Sequence, residues 1–401
     1  MSIASQALDQ GQGILRLAPA WVPRVYCIPG RRIRLHPDDY YAFGTHRGGI
    51  DERWFASTTP ADNGPDTSPD EGLSRIVAPG GGVLLRDAVA ELGAALIGDR
   101  LWRGYGRWPM YSKFFDNLGP LPFHIHHQQQ HAAMTGKRGK PETYWFPPQV
   151  NNHGGRFPHT YFGLHPSTTR GQVADAIRAF SRGDNRITAL SRAYRLDPGT
   201  GWDVPPGVLH APGSLCTYEP QADSDVFCMY ESVVDHMPLP AALLWKDCPA
   251  DRVGDIDWLL DLIDWDINRD PDFAANRRMQ PKPVADPALT RDEGYEARWV
   301  CWRSPHVSAQ ELTVLPGASV IVRDAAAYGC VAMQGRGMIG VHRLETPTLI
   351  RFGELTNDEF FVSEQTACAG VRIVNASDVE PLVILKHYGP GNPDLRLPLS
   401  A

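Results

Sequence analysis

Apolar residues along the chain mostly form short runs separated by Gly, Pro and other turn residues, a pattern typical of β structure. In the N-terminal half, such runs predict strands at residues 22–26 and 226–230 and within residues 200–213. Residues 110–125 are predicted to form a strand, a Gly-Pro corner and a second strand. This half of the chain is therefore expected to consist mainly of short strands.

Helical spacing of apolar residues occurs in three places. Asp87 and Thr169 are each predicted to cap a helix, because apolar residues recur at every third or fourth position after them. These residues are Val89, Leu92 and Leu96 after Asp87, and Val173, Ile177 and Phe180 after Thr169. A third helical stretch lies within residues 238–287 and ends in a proline-broken tail, which predicts a helical connector and a domain boundary near residue 290.

The C-terminal segment returns to short strands that are broken by Gly and spaced by about 8–12 residues. The predicted strands lie at residues 318–323, 329–333, 338–343, 348–352, 359–363, 370–375 and 382–388. This spacing predicts a closed β barrel or a sandwich. Two β-rich halves around a helical middle are consistent with a duplicated barrel, so the predicted fold class is mainly β.

Composition and charge exclude several functional classes. Of the 401 residues, 42% are hydrophobic and 21% are charged, which excludes a disordered, collagenous or coiled-coil protein. A net charge of −7 without clusters of Lys and Arg argues against nucleic-acid binding. The chain has no apolar run long enough to cross a membrane and no secretory pattern in its first 13 residues, so we expect no membrane association and a cytoplasmic location.

The seven cysteines are dispersed, odd in number and form no Cys-x-x-Cys pair. This pattern argues against a disulfide framework and against a structural thiolate zinc site. We expect reduced thiols, most of them buried.

The densest chemical signal is the segment from Pro122 to His131, which holds four of the fourteen histidines. If this segment begins with a strand, His124 and His126 point to the same face, because side chains alternate along a strand. Two imidazoles on one face form half of a metal site, and the alternative is a solvent-facing histidine patch. His127 would point the other way and His131 follows a polar run, so we expect structural or exposed roles for both.

A metal site needs further ligands, and Glu142 and His210 are the candidates. Glu142 begins an apolar run that predicts the next strand, and His210 follows a Pro-Gly turn. A carboxylate beside the aromatic residues 144–146 would be costly to bury unpaired, and a cation removes that cost. Three neutral imidazoles and one carboxylate suit a divalent ion such as Zn, Mn, Fe, Co or Ni and leave coordination positions open for a substrate. We predict one divalent metal ion, with zinc as the first candidate.

Six short motifs follow one another between about residues 50 and 231. They are Asp51-Glu52-Arg53-Trp54-Phe55-Ala56-Ser57, Ser112-Lys113-Phe114-Phe115-Asp116, Leu121-Pro122-Phe123-His124-Ile125-His126, Lys140-Pro141-Glu142, Pro206-Gly207-Val208-Leu209-His210-Ala211 and Glu219-Pro220-Gln221-Ala222-Asp223-Ser224-Asp225. Their metal-ligand pattern resembles that of the cupin barrels, and their order and spacing resemble the type I mannose-6-phosphate isomerases. The C-terminal half resembles that family only as a degenerate barrel, since it lacks a His-x-His pair.

The resemblance implies a fold of two cupin (jelly-roll) barrels with a helical insertion and a helical connector. Residues 1–237 would form the N-terminal barrel with the metal site, interrupted by the insertion at about residues 165–195. Residues 238–290 would form the connector and residues 291–401 the degenerate C-terminal barrel. The insertion would cap the active site.

The resemblance also implies catalytic residues. Lys140 and Asp225 would carry the proton, and Lys113 would line the pocket. A lysine two residues before the metal ligand Glu142 is chemically sensible, because a nearby cation lowers the lysine pKa. Plainer interpretations stay open: Lys140 as a solvated loop lysine, Asp225 as a turn-capping carboxylate, and Lys113 as a lysine that extends along apolar neighbours to water.

Substrate contacts are predicted for Trp54, Tyr144 and Glu219. Aromatic rings can stack on the C–H face of a sugar, although aromatic residues more often serve in a core. Glu219 is implied by its place in the last of the six motifs. The predicted ligand is a small polyhydroxylated molecule bound by a monomer or homodimer.

Three positions depart from the family pattern: His124 replaces a metal-binding Gln, Pro122 replaces a Ser, and Met229 replaces an Arg. An arginine can hold a sugar phosphate or stabilise an enediolate through charge-assisted hydrogen bonds, and methionine can do neither. The change at position 229 therefore weakens the case for 6-phosphate recognition or for the isomerase reaction itself.

The function that the sequence favours is a metal-dependent aldose–ketose isomerase acting on a sugar or sugar phosphate by enediol proton transfer. That reaction needs a Lewis acid, an acid/base group and donors for the developing charge. Two alternatives stay open, because many functions share this fold. One is another metal-dependent cupin enzyme, such as a dioxygenase or lyase, and the other is a non-catalytic sugar-binding cupin.

Overall fold

The computed structural model describes residues 1–79, 81–152 and 155–395, and its strands pair antiparallel. The helices are α1 (Ile3–Gln10), α2 (Leu85–Leu92), α3 (Ala94–Tyr105), α4 (Gln129–Ala132), α5 (Arg170–Arg178), α6 (Ile256–Asp261), α7 (Trp265–Asn268), α8 (Phe273–Arg277), α9 (Pro287–Asp292) and α10 (Glu364–Ala369). The predicted mainly β class is confirmed.

Strands before the connector hold the predicted site. They are β1 (Ile14–Ala18), β2 (Ala20–Arg24), β3 (Gly49–Phe55), β4 (Arg75–Ile76), β5 (Val83–Leu84), β6 (Met110–Phe115), β7 (His124–Ile125), β8 (Glu142–Trp145), β9 (His159–Phe162), β10 (Arg192–Arg195), β11 (Gly201–Val204), β12 (His210–Ala211), β13 (Thr217–Ala222), β14 (Cys228–Met229), β15 (Val233–Val234) and β16 (Met237–Pro238).

The later strands build most of a second β structure. They are β17 (Arg278–Met279), β18 (Lys282–Pro283), β19 (Tyr295–Cys301), β20 (Ser308–Val314), β21 (Ser319–Val322), β22 (Tyr328–Gln334), β23 (Arg336–Ile339), β24 (His342–Glu345), β25 (Glu359–Val362), β26 (Val371–Asn375) and β27 (Leu382–Tyr388).

The first sandwich consists of a seven-stranded sheet, in the order β17-β11-β8-β13-β6-β3-β2, and a five-stranded sheet, in the order β10-β9-β12-β7-β14. Aromatic side chains from both sheets, such as Tyr144 and Phe162, share one buried cluster. In the small sheet His124 on β7 pairs with His210 on β12 and with Met229 on β14. Two of the predicted ligands are thus cross-strand neighbours.

The second sandwich consists of a nine-stranded sheet, in the order β18-β19-β20-β27-β22-β25-β1-β4-β5, and a four-stranded sheet, in the order β21-β26-β23-β24. Its core combines residues of both sheets, among them Leu312, Ile384 and Ile373. Strand β1 pairs with β25, so the start of the chain completes the sheet of the last third. The division of the chain into domains at residues 237 and 290 stays a prediction.

The two large sheets meet through polar as well as apolar contacts. The buried His387 ring on β27 places Nδ1 2.7 Å from Ser112 Oγ and 2.8 Å from the Tyr218 hydroxyl. Arg53 on β3 donates two hydrogen bonds of 2.8 Å to Asp358. These directional contacts fix how one sandwich sits against the other.

Three local predictions are wrong for identifiable reasons. Residues 338–343 form the turn of a hairpin between β23 and β24 and not one strand, because Gly340 takes a φ of 55° and Met338 pairs back with Arg343. Asp87 does not cap α2: it lies in the first turn, where its charge suits the helix dipole, and Leu84 occupies the capping position. Gly93 ends α2, so Leu96 belongs to the next helix, α3. Residues 348–352 form no strand, because side chains of Asp39 and Glu354 take the N–H groups of residues 352 and 351.

Other local predictions are confirmed. Thr169 caps α5 through a reciprocal pair of hydrogen bonds with Gln172, and α5 lies in the segment predicted as an insertion. The connector segment holds α6, α7 and α8. All seven cysteines are free and five of them are buried, as expected for reduced thiols. Among the described residues, no helix is both long and apolar enough to cross a membrane.

Candidate metal and active site

Three buried histidines converge between the sheets of the first sandwich. His124, His126 and His210 have ligand nitrogens that all lie within 4.8 Å of one another. Each ring directs Nδ1 at a backbone carbonyl oxygen, at 2.6 Å for His124, 2.8 Å for His126 and 2.9 Å for His210. Because Nδ1 carries the proton in such a contact, each Nε2 keeps its lone pair for the interior of the cluster.

Glu142 joins the cluster from the facing sheet. Its carboxylate oxygens lie 2.9 Å from His126 Nε2 and 3.1 Å from His210 Nε2. The Tyr144 hydroxyl donates to Glu142 Oε1 at 2.5 Å and so fixes the orientation of the carboxylate. Glu142 is fully buried on β8, which explains why it needs partners.

The electrostatics of the cluster suit a cation. Burial, reinforced by the neighbouring imidazoles, lowers the pKa of His124 well below its usual range, and burial lowers the pKa of His126 to about 3. Burial alone would raise the pKa of Glu142, but the Lys140 ammonium 3.0 Å from its Oε2 opposes that shift, and the pKa lies well below its usual range. Neutral imidazole nitrogens that face a carboxylate are acceptors facing acceptors, an arrangement that a divalent ion stabilises.

Lys140 lies directly beside these ligands, and Glu219 lies between Lys140 and a second lysine, Lys113. Lys140 Nζ is 3.1 Å from His126 Nε2 and 3.0 Å from Glu142 Oε2. Glu219 Oε1 lies 3.5 Å from Lys140 Nζ and 3.5 Å from Lys113 Nζ. Burial, and then the charge of Glu142, raises the pKa of Glu219 to about 8. A carboxyl group that titrates near neutrality can accept and donate protons.

Asp225 is held by an arginine that sequence analysis missed. Arg24 Nη2 lies 3.0 Å from Asp225 Oδ1 and 3.1 Å from Glu52 Oε2. Burial alone would raise the pKa of Asp225, but the Arg24 guanidinium outweighs it and holds the pKa below its usual range. The signal for Arg24 is its position inside the predicted apolar strand at residues 22–26.

Glu52 also escaped the sequence analysis as a site residue. It lies within the first of the six motifs and accepts a hydrogen bond from Lys113 Nζ at 3.1 Å. The run of three charged residues 51–53 lies in β3, which is buried throughout. Such a run in a buried strand could have signalled a charged cavity.

The two aromatic residues predicted to contact substrate are both buried, but only one of them lines the cavity beside the histidines. Trp54 is fully buried, stacks on Tyr111 with ring centroids 4.5 Å apart, and donates its indole N–H to Glu52. It does not line the cavity beside the histidines. Tyr144 does line that cavity, next to Glu219 and Met229.

The cavity beside the histidines has a volume of about 30 Å³. That volume holds roughly two water molecules and is far below the ~300–1,000 Å³ of typical ligand pockets. Tyr26 and Phe227, whose rings meet edge to face at 6.2 Å, line this cavity and also an adjoining one of about 450 Å³. These two rings therefore separate the histidine cluster from a larger space at the surface.

The remaining histidines of the rich segment lie outside the cluster. His127 points the other way, as predicted, with Nε2 3.6 Å from the Cys228 sulfur. His131 is half-buried against Trp258, with ring centroids 5.4 Å apart. Neither ring takes part in the grouping of ligand atoms.

Comparisons with known proteins support the fold. No protein-family model and no curated protein sequence matches the chain. The mannose 6-phosphate isomerase from Bacillus subtilis is similar in structure, with a TM-score of 0.61, 15% identity, and coverage of 94% of this chain and 100% of that one. A mutant of phosphomannose isomerase from Salmonella typhimurium has a TM-score of 0.62, 12% identity and the same coverage.

A zinc-bound mannose 6-phosphate isomerase gives the same result, with a TM-score of 0.62, 12% identity, and coverage of 94% of this chain and 100% of that one. The resemblance predicted from the six motifs is thereby confirmed as a shared fold over nearly the whole chain. Identities of this size establish the fold alone, so the chemistry has to be argued from the site.

Proposed function

We propose that this protein is a metal-dependent aldose–ketose isomerase that acts on a sugar or sugar phosphate by enediol proton transfer. The observation that carries the proposal is that Lys140 contacts both His126 and Glu142 of the three-histidine cluster, and that Glu219 lies 3.5 Å from Lys140. A cation site and proton-transfer groups that share one buried cavity are what aldose–ketose exchange requires.

The metal ligands in this proposal are His124, His126, Glu142 and His210. The donor set fits a divalent ion, because each imidazole keeps an unprotonated Nε2 and the carboxylate is ionised. We propose zinc, and Mn, Fe, Co or Ni would suit the same ligands. When bound, such an ion supplies a Lewis acid that polarises a carbonyl and the neighbouring hydroxyl group.

Glu219 and Lys140 are the groups that we propose to move the proton between adjacent substrate carbons. Both are buried and line the cavity, and Glu219 can exchange a proton near neutral pH. Asp225, which the resemblance implies as a second proton carrier, is ionised and bound to Arg24. In our proposal Asp225 therefore positions the Arg24 guanidinium.

Arg24 and Lys113 are the groups that we propose to stabilise negative charge on the substrate oxygens. Both are buried cations that line the cavity, and both contact Glu52. Their charge acts in a place from which water is largely excluded, so it counts for more than at the surface. Arg24 thereby brings a guanidinium to a site where position 229 carries methionine.

Substrate access in this proposal requires Tyr26 and Phe227 to move. A sugar is larger than the 30 Å³ cavity beside the histidines. Rotation of these two rings would join that cavity to the adjoining 450 Å³ cavity. The predicted ligand stays a small polyhydroxylated molecule, and the monomer or homodimer state stays a prediction.

An oxidative or lyase cupin enzyme is the second candidate. Two observations favour it: the three-histidine, one-glutamate set is common among other cupins, and a 30 Å³ cavity suits a small ligand better than a hexose. A non-catalytic sugar-binding cupin is the third candidate, with the cluster retained for structure.

Proton exchange in D₂O separates these candidates. Protein of measured metal content is incubated with aldoses, ketoses and their 6-phosphates, and loss of the C2–H signal is followed by NMR. We expect exchange with at least one sugar, abolished in His126→Ala and retained in His131→Ala, a matched histidine outside the cluster. Metal-loaded protein that exchanges no C2 proton would contradict the isomerase proposal, and oxygen consumption with bound iron would favour the oxidative candidate.

A further inference from the structure

The second sandwich contains a larger cavity than the histidine site. It has a volume of about 480 Å³, within the range of small-molecule pockets, and lies where β18, β19 and β20 meet the loop that carries Asp324. The mouth is formed by exposed residues, including Lys282, Arg323 and Asp394, and the deeper wall by the buried Trp299 and Gln310. A solvent-open mouth with a buried polar wall is the shape of a binding site.

Asp324 supplies an unsatisfied acceptor in that wall. It is 3% exposed, and its Oδ1 accepts hydrogen bonds of 2.7 Å from both Lys386 Nζ and the Tyr388 hydroxyl. Its Oδ2 is buried and has no hydrogen-bond partner among the described residues. A buried acceptor without a donor costs about 1–3 kcal/mol, and a hydroxyl group of a ligand would remove that cost.

The aromatic part of the cavity is rigid. Trp302 donates its indole N–H to the carbonyl of Gln280 at 2.9 Å, and Trp299 packs 5.9 Å from the Tyr388 ring. Both indoles line the cavity and are mostly buried, and the exposed Lys282 side chain places its Nζ 3.3 Å from the centre of the Trp302 ring. Fixed aromatic surfaces bind the apolar face of a ligand at little entropic cost.

The charges that line the cavity nearly cancel. Lys282 and Arg323 are cations, and Asp324 and Asp394 are anions. The balance disfavours a strongly charged ligand of either sign. A ligand with an apolar face and several hydroxyl groups matches the indoles, the free carboxylate oxygen and the Gln310 amide together.

We propose that this cavity is a second binding site, separate from the histidine cluster, for a neutral hydroxylated ring such as a pyranoside. The ring would lie against the Trp299 indole, displace the exposed Lys282 side chain from the face of Trp302, and donate a hydroxyl hydrogen to Asp324 after that side chain turns its buried Oδ2 toward the cavity. The site does not depend on the isomerase proposal, because none of these residues belongs to the histidine cluster.

Methyl glycosides test the proposal, because a locked anomeric centre cannot open to an aldehyde or be isomerised. Saturation-transfer NMR titrations with methyl α-D-mannopyranoside and methyl β-D-glucopyranoside should show saturable binding of at least one of them to the metal-loaded protein. Ala297→Phe fills the cavity and should weaken binding at least about tenfold, and Asp324→Asn should weaken it about fivefold.

Two controls locate the site. Ile321→Phe introduces the same side chain at an exposed position on β21, and His126→Ala disrupts the histidine cluster; both should bind the glycoside like the wild type. Thermal unfolding of every variant verifies that it is folded. If one of the two cavity variants does not fold, the other one still tests the proposal.

Several outcomes would overturn the proposal. One is the absence of saturable binding by either glycoside, and another is wild-type affinity in both cavity variants. Loss of binding in His126→Ala alone would place the glycoside at the first site. Saturable binding of tetramethylammonium or inorganic phosphate without glycoside binding would show that the ligand class is wrong.

Discussion

In the first sandwich the buried polar group consists of three imidazoles, the Glu142 carboxylate and the Lys140 ammonium. In the second it consists of Asp324, Lys386, Tyr388 and Gln310. Both groups are held inside a pair of sheets by neighbouring strands. They differ in how acceptors and donors are matched.

The first group has more acceptors than its own chain can satisfy. Three Nε2 lone pairs and a carboxylate face one ammonium, so an ion of charge +2 completes the set. In the second group one carboxylate oxygen already receives an ammonium and a hydroxyl group. The comparison teaches that the same architecture builds a metal-ligand cluster in one half and a lysine–aspartate ion pair in the other, according to which side chains the strands supply.

The largest expected effect comes from Glu142→Gln. This change keeps the shape but removes the anionic ligand, so we expect metal affinity to fall by about 10³-fold or more. Competition with a chelator measures the affinity. Glu231→Gln is the matched control, because Glu231 is a half-buried carboxyl of the same sandwich that lies outside the cluster and accepts the N–H of Phe123. Equal metal affinity in the wild type and Glu142→Gln would remove Glu142 from the ligand set.

In the second sandwich, Lys386→Met should destabilise the fold by about 3–5 kcal/mol, because it leaves the Asp324 carboxylate buried without its cation. Denaturant unfolding measures the loss. The double variant Lys386→Met/Asp324→Leu should recover most of it, since the charge is then gone as well. If the free energy of unfolding of Lys386→Met lies within about 1 kcal/mol of the wild-type value, Lys386 is not what stabilises the buried Asp324 carboxylate.

Zinc should stabilise the folded protein by binding to the first group and not to the second. At a free zinc concentration about 100–1,000 times the dissociation constant, we expect the free energy of unfolding to rise by about 3–4 kcal/mol. The gain should persist in Lys386→Met and disappear in Glu142→Gln. The same gain in both variants would mean that zinc binds elsewhere.

The junction between the sandwiches should give the smallest effect, through pH. Burial, partly offset by Arg53, raises the pKa of Glu359 to about 8. Between the unfolded pKa near 4.5 and pH 8, the folded state holds a proton that the unfolded state releases, so stability falls as pH rises through this window. Glu359→Gln removes this pH dependence. The free energy of unfolding of the variant, relative to that of the wild type, should therefore be about 1–3 kcal/mol higher at pH 8 than at pH 5. Parallel pH–stability curves for the two proteins would contradict the assignment.

Much of the metal cluster could be predicted from the sequence, because its signals are local. Strand alternation brings His124 and His126 to one face, and the Pro-Gly turn precedes His210. The helix cap at Thr169 could be predicted for the same reason, because its partner Gln172 lies three residues further along the chain. In each case a few neighbouring residues determine the geometry.

The parts that escaped prediction depend on contacts between distant segments. Arg24 reaches Asp225 across some 200 residues of chain, and β1 pairs with β25 across more than 300. Strand β20 is buried on both faces yet carries the polar Gln310 and Glu311, so it shows neither the alternation nor the apolar run that marks a strand. Likewise, nothing in the local sequence pairs Asp324 with Lys386.

The central claim is that one divalent ion binds to His124, His126, His210 and Glu142. X-ray absorption at the zinc edge, combined with anomalous diffraction from crystals of the zinc-loaded protein, tests it directly. We predict a single zinc ion per chain at this cluster, with three nitrogen ligands at about 2.0–2.1 Å and a carboxylate oxygen at about 2.0–2.2 Å. A zinc-loaded crystal without an anomalous peak at the cluster, or with zinc bound by other side chains, would contradict the account.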